Sequence, residues 1–284
     1  MRIIDAFTFF NELDLLEFRL ECLYPHVERF VISEANITFS GIPKAFVFEE
    51  NRARFSKYLD KIEYLKYMPS VIGLDFTRPE RFDGKSAAWV IEDGQRNFLK
   101  TAIDSYDDEV VAVISDLDEI WDPFALSKNE ALGERDTKGA YLEMDFFYFY
   151  FNCKGVGPKN RGWRHAYCAR PSFFKSRSLW AATPTLSGTR GGRRDFKLTV
   201  PSGWHFSYLG GPQKIIEKIE AFSHQELNTT DIKDVQRISK CVDIGLDPFC
   251  RDGHEWAFVH LDTFPEWLKA DMLRYPKFIK STLT

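Results

Sequence analysis

An uncharged run that ends in acid constrains this chain most: Val110-Val111-Ala112-Val113-Ile114-Ser115-Asp116-Leu117-Asp118-Glu119-Ile120. Six small or β-branched residues without a charge read as a strand buried on both faces, as in a parallel α/β sheet. Asp116 and Asp118 follow at the C-terminal end of that strand, where open α/β sheets bind their ligands. Two residues apart in extended chain, both carboxylates point to the same side. Two hard oxygen donors there suit Mg²⁺ or Mn²⁺, and such an ion can hold a diphosphate. The plainer alternative is a strand running out into a turn, where Asp is common. Leu117, continuing the strand between the acids, argues against it.

With 284 residues the chain is long enough for one large α/β domain. We expect a single domain over residues 1–284, with a ligand-binding half at 1–122 and a second half at 123–284. A net charge of −4 argues against a general nucleic-acid binder. Basic residues nevertheless concentrate between Lys154 and Lys197, where Asp195 is the lone acid; such a patch suits an anionic ligand or a solvated face equally well. No apolar run reaches transmembrane length, and Asp5 interrupts the N-terminus too early for a signal peptide. A soluble, cytoplasmic protein is therefore expected. Cys22, Cys153, Cys168, Cys241 and Cys250 are odd in number and contain no CxxC pair, which favours reduced thiols over disulfides or a zinc site.

Along the chain, Ile3 to Phe10 reads as a strand, followed by a helix whose stripe is Leu15, Leu16, Leu20 and Leu23. A strand over 27–33 leads to a polar loop over 34–41. Residues 52–59 look helical, 62–67 extended, and 86–105 form one long helix that feeds the acid-tipped strand. This βαβαβ order predicts a Rossmann-like, mainly parallel N-terminal half with helices on both faces. Strands are expected at 140–152, 166–174 and 203–208, a flexible basic lid at 188–194, and a helix after Gly210-Gly211-Pro212 with Ile215, Ile216, Ile219 and Phe222 on one face.

Several blocks carry a family resemblance. They are Asp5-Ala6-Phe7-Thr8-Phe9-Phe10-Asn11-Glu12-Leu13-Asp14-Leu15-Leu16-Glu17, Glu34-Ala35-Asn36 with Thr38-Phe39-Ser40-Gly41, and Ser115-Asp116-Leu117-Asp118-Glu119-Ile120. Gly203-Trp204-His205-Phe206-Ser207-Tyr208-Leu209-Gly210-Gly211 and Lys218-Ile219-Glu220-Ala221-Phe222-Ser223-His224-Gln225-Glu226 complete the set. In this order they resemble glycosyltransferase family 17, whose type member is a β-1,4-mannosyl-glycoprotein N-acetylglucosaminyltransferase. The resemblance implies a GT-A fold with a mixed Rossmann-like sheet. It also implies an inverting transfer from a UDP-sugar, UDP-GlcNAc first among them, to a carbohydrate acceptor with Mn²⁺ or Mg²⁺. Trp121 departs from the family, which usually has Pro after the acidic block. Animal members carry an N-terminal membrane anchor and this chain opens on the catalytic domain, so a glycolipid, polysaccharide precursor or small glycoside is the expected acceptor rather than a glycoprotein.

Asp118 is the expected direct metal ligand, with Asp116 on the ribose or a metal-bound water and His205 completing the metal shell or buried as a core histidine. Glu34, Asn36, Ser40 and Gly41 form a loop suited to the uracil or ribose. Arg96 and Asn97 lie on the helix before the acidic strand and can reach the donor. Arg190, Arg193 and Arg194 can close on the diphosphate, since guanidinium forks match phosphate oxygens. Asp145, His224 and Glu226 are the candidates for the base that deprotonates the acceptor hydroxyl; for Asp145, burial in an aromatic strand would raise its pKa usefully. Trp163, Tyr148 and Trp204 can stack on sugar faces. Two other readings compete: a non-catalytic nucleotide-sugar binder, and a DxD phosphotransferase or phosphatase. The latter expects Thr or Ser where Ile120 stands.

Overall fold

The uncharged runs become the middle of one sheet. A computed structural model describes residues 2–77, 85–134, 137–160, 162–175, 185–192 and 196–281. Its strands are β1 (Arg2–Phe9), β2 (Arg29–Ala35), β3 (Ile62–Tyr67), β4 (Val110–Asp116), β5 (Glu119–Ile120), β6 (Gly139–Tyr148), β7 (Cys153–Gly155), β8 (Tyr167–Ala169), β9 (Thr199–Ser207) and β10 (Trp256–Phe258). They join in the order β10-β7-β6-β8-β4-β1-β2-β3, with β9 attached to β6 and β5. The pairs β1/β2, β1/β4 and β2/β3 are parallel, whereas β4/β8, β6/β8, β6/β7 and β7/β10 are antiparallel. The sheet is therefore mixed and runs through both halves of the chain.

Alternation sends Ile3 and Phe7 of β1 and Val111 and Val113 of β4 to one face, where they pack with Leu16, Phe18 and Leu20 of α1 (Leu13–Leu23). Ile4, Ala6, Ala112 and Ile114 face the other side, against Leu99, Ala102 and Ile103. Each buried Val, Leu, Ile or Phe among them stabilises the fold by about 1.5–3 kcal/mol relative to exposure, and each Ala by less. Helices thus cover both faces, as the uniformly apolar strands require.

Two expected elements are shorter. The helix over 86–105 divides into α2 (Ala87–Phe98) and a turn at Lys100–Ile103. The strand over 166–174 stops at Ala169, because Pro171 opens a 3₁₀ turn over Pro171–Phe174. Part of the expected lid is α3 (Leu186–Gly192), and Arg193 and Arg194 lie outside the described residues. The helix after Gly210 is α4 (Gly211–Ala221). All five cysteines are free thiols. Among the described residues no helix is long and apolar enough to cross a membrane.

One glycine fixes how β9 meets the acidic turn. Gly203 has φ +114°, and a Cβ there would stand 2.3 Å from the Ile120 carbonyl oxygen. Gly203→Ala is expected to destabilise the fold by about 2 kcal/mol, read as a lower urea midpoint at unchanged slope.

Candidate active site

A cleft of about 1010 Å³ opens at the C-terminal ends of β1, β2 and β4, lined there by Thr8, Phe9, Ala35, Asp116 and Asp118. Opposite stand Phe146 and Tyr148 of β6, His205 of β9, which pairs parallel with β6, and Trp163, with Lys218 on α4 and His224 and Glu226 after it. This is the strand-end position at which open α/β sheets bind ligands.

The acidic turn is built from beneath. Arg19 of α1 is fully buried and grips both oxygens of Asp5, at 2.6 and 2.8 Å. Its Nη1 donates to the carbonyls of Asp116, Leu117 and Glu119 at 2.9, 3.1 and 2.8 Å, and Nη2 donates to Ser115 Oγ at 2.6 Å. Trp121 donates Nε1–H to Asp5 Oδ1 at 3.0 Å. The backbone therefore turns at Leu117 and Asp118 instead of continuing as strand. That corrects the expected extended path between the acids, although both carboxylates line the same cleft.

Each acid acquires its own partners. Asp116 accepts from Arg96 at 3.0 Å and from Arg190 at 2.5 Å. Arg190 also donates to both oxygens of Glu119 at 2.8 Å, and Trp163 Nε1–H donates to Glu119 as well. Asp118 Oδ2 accepts from Lys218 Nζ at 2.8 Å, and its Oδ1 lies 3.3 Å from His205 Nε2. The short β5/β9 ladder, pairing Glu119 with His205, delivers the imidazole, and Phe146 stacks on it at 4.7 Å.

The electrostatics follow. Burial works to raise the Asp116 carboxyl, yet Arg190 and Arg96 outweigh it and hold the group down at about 2. Burial likewise opposes ionisation of Asp118, and Lys218 and His205 overcome it, leaving the group well below the carboxylate range. Both folded-state values lie under the ordinary 3.8, so the stability these acids contribute is full above about pH 4 and drains as pH falls toward 2. Urea unfolding at pH 5, 4 and 3 is expected to weaken across that window. Asp116→Asn should flatten the slope; an unchanged slope would contradict the ion pairs.

Residues 1–263 match the model of glycosyltransferase family 17. The chain belongs to that family. Over 123 residues, 42% of this family 17 chain, it is 29% identical to the β-1,4-mannosyl-glycoprotein 4-β-N-acetylglucosaminyltransferases of Rattus norvegicus and Homo sapiens. The match spans about a fifth of those relatives' own length, 21% and 22%. Among solved structures, it is similar to the 4-diphosphocytidyl-2C-methyl-D-erythritol synthase of Anaerococcus prevotii, at 11% identity and a TM-score of 0.37, covering 85% of this chain and 96% of that one. The inositol-1-phosphate CTP transferase of T. maritima gives the same TM-score, 0.37, at 10% identity, covering 80% and 96%.

Of the expected site residues of this family 17 chain, Arg96, Asp116, Asp118, Arg190, His205, His224 and Glu226 line the one cleft. His224 Nδ1 and Glu226 Oε1 form a 2.7 Å pair. Arg190, expected on a lid, is buried at the cleft floor. Glu34 is not on the cleft: fully buried, it accepts from the backbone of Val47 and Phe48 at 2.6 and 3.0 Å, from Tyr64 at 2.8 Å and from Lys44. Its carboxylate caps the helix start at Val47, and that work consumes it. The loop presents Ile37, Thr38 and Phe39 to the cleft in place of Asn36, Ser40 and Gly41, and Gly41 turns against the Phe76 ring. Asn97 accepts from the Ser187 backbone and is likewise off the cleft. Asp145 does not line the cleft either. Its side chain is 51% exposed and pairs with Lys154 at 2.8 Å, so the expected burial is absent. Trp204 packs near Trp267 and Phe264, whereas Trp163 and Tyr148 face the cleft.

Two cations with decisive positions went unassigned in the sequence, Arg19 and Lys218. The signal was available: Arg19 falls four after Leu15 and three after Leu16, and Lys218 three after Ile215 and four before Phe222. A basic residue at helical spacing on an apolar stripe needs a buried partner.

Among the described residues no three His, Cys, Asp or Glu side chains converge. Asp118 and His205 fit a divalent ion. Carboxylate oxygen and imidazole nitrogen are both Mn²⁺ donors. Neighbouring donors about 2.1 Å from an octahedral ion lie roughly 3 Å apart, close to the observed 3.3 Å. His205 Nδ1 is buried without a partner, the place for the imidazole proton when Nε2 offers its lone pair.

Proposed function

We propose that this chain is an inverting, metal-dependent glycosyltransferase of GT-A type that moves GlcNAc from UDP-GlcNAc to a hydroxyl of a carbohydrate acceptor. The observation that carries this is the Asp118–His205 pair beside Lys218 at the strand-end cleft of a family 17 chain. Asp118 and His205 would hold Mn²⁺ or Mg²⁺, which neutralises the departing diphosphate when bound. Ile37, Thr38 and Phe39 flank the uridine, and Trp163 and Tyr148 offer faces to the sugars. The acceptor oxygen forms its bond to the anomeric carbon as the bond to the β-phosphate oxygen breaks, with the electron pair leaving on UDP. The hydroxyl proton passes to the His224–Glu226 pair, in which each group fixes the other.

A panel of UDP-sugars, assayed for UDP release with Mn²⁺ and with EDTA, tests the donor. Release from UDP-GlcNAc above the other sugars is expected; preference for UDP-glucose or UDP-galactose would change the assignment. Glu226→Gln is expected to lower transfer about 10²-fold with UDP affinity unchanged, and an equal loss in both would move Glu226 to the donor site.

A further inference from the structure

We infer that Lys218 is a tethered counter-ion: its ammonium holds the divalent-ion position at Asp118 until a nucleotide diphosphate arrives, so that metal and nucleotide bind together and neither binds well alone. The inference rests on Asp118 and His205 being the metal position. Lys218 Nζ lies 2.8 Å from Asp118 Oδ2, on the same carboxylate whose other oxygen faces His205. Arg96 and Arg190 are both engaged with Asp116, and Arg190 with Glu119 as well, so among the described residues Lys218 is the lysine or arginine paired with Asp118. The Asp118 side chain is 8% exposed, so without that ammonium its charge would be buried with little solvent to screen it.

A divalent ion arriving alone would sit beside a fixed ammonium, and like charges at such spacing in a partly desolvated cleft repel strongly. An anion changes the balance. A diphosphate can bridge the ion and the ammonium, and Lys218 can follow it because the side chain is 29% exposed at the cleft wall and lies on a long, flexible stem. Asp118 would then be free to hold the ion, and the Lys218 ammonium would pair with the phosphate. Lys218 is thereby a positioning residue that sets binding order.

The test is a Mn²⁺ titration followed by the electron paramagnetic resonance signal of free Mn²⁺, on wild type, Lys218→Gln and Lys218→Arg, each with and without UDP. Wild type is expected to hold Mn²⁺ weakly alone and at least tenfold more tightly with UDP, within the usual range of coupling between two ligands. Lys218→Gln is expected to bind Mn²⁺ at least tenfold more tightly without nucleotide and to lose most of the coupling. Lys218→Arg keeps a cation and should behave as wild type, which separates charge from any disturbance of α4. Unchanged or weaker nucleotide-free Mn²⁺ binding by Lys218→Gln, with Lys218→Arg folded and normal, overturns the inference. Absence of Mn²⁺ binding in wild type even with UDP overturns the metal-dependent reading itself.

Discussion

Asp118→Asn is expected to cut UDP release from the sugar nucleotide about 10³-fold while the fold persists. The substitution keeps the shape of the side chain and removes the one carboxylate that faces both His205 and Lys218. The amide offers a single weak oxygen donor in place of a charged one, so metal affinity falls and the departing diphosphate loses its neutralising partner. The variant also loses the stability that the ionised carboxylate contributes through Lys218 and His205, so the melting temperature is expected to fall while the fold persists. Steady-state UDP release with saturating Mn²⁺, alongside a thermal melt, reads both effects. More than a tenth of wild-type turnover in the variant would place the metal elsewhere.

The largest stability effect is expected at Arg19. Arg19→Met leaves Asp5, fully buried, without its cation, and removing one partner of a buried pair costs about 3–5 kcal/mol. It also strips the donor from the carbonyls of Asp116, Leu117 and Glu119, so the acidic turn should loosen as the core weakens. Urea unfolding measures the loss. Combining the change with Asp5→Asn should recover part of it, since the stranded charge is then gone. A loss under about 1 kcal/mol for the single variant would mean that Arg19 does not organise the turn.

The central strands were legible because burial on both faces leaves no alternative to continuous apolar sequence, and 110–116 reads so directly. The acids at its tip were legible for the same reason: a charge ending such a run must face solvent or a ligand. The turn between them was not, because it depends on Arg19 drawing three carbonyls together from a helix nearly a hundred residues earlier. Glu34 misled because a carboxylate that caps a helix looks in sequence like one that meets a ligand. Asp145 misled because its strand carries a register shift between Glu143 and Asp145, so strand periodicity does not fix its face. Lys218 sits on the apolar stripe of its helix, which points to a buried partner, but the identity of that partner, a hundred positions away, is not written locally.

The most direct measurement is UDP binding to the wild-type chain by calorimetry, with Mn²⁺ and then with EDTA. Saturable one-site binding with Mn²⁺ that EDTA abolishes is the predicted result. Equal UDP affinity in both, or none in either, would contradict a metal-held diphosphate at Asp118.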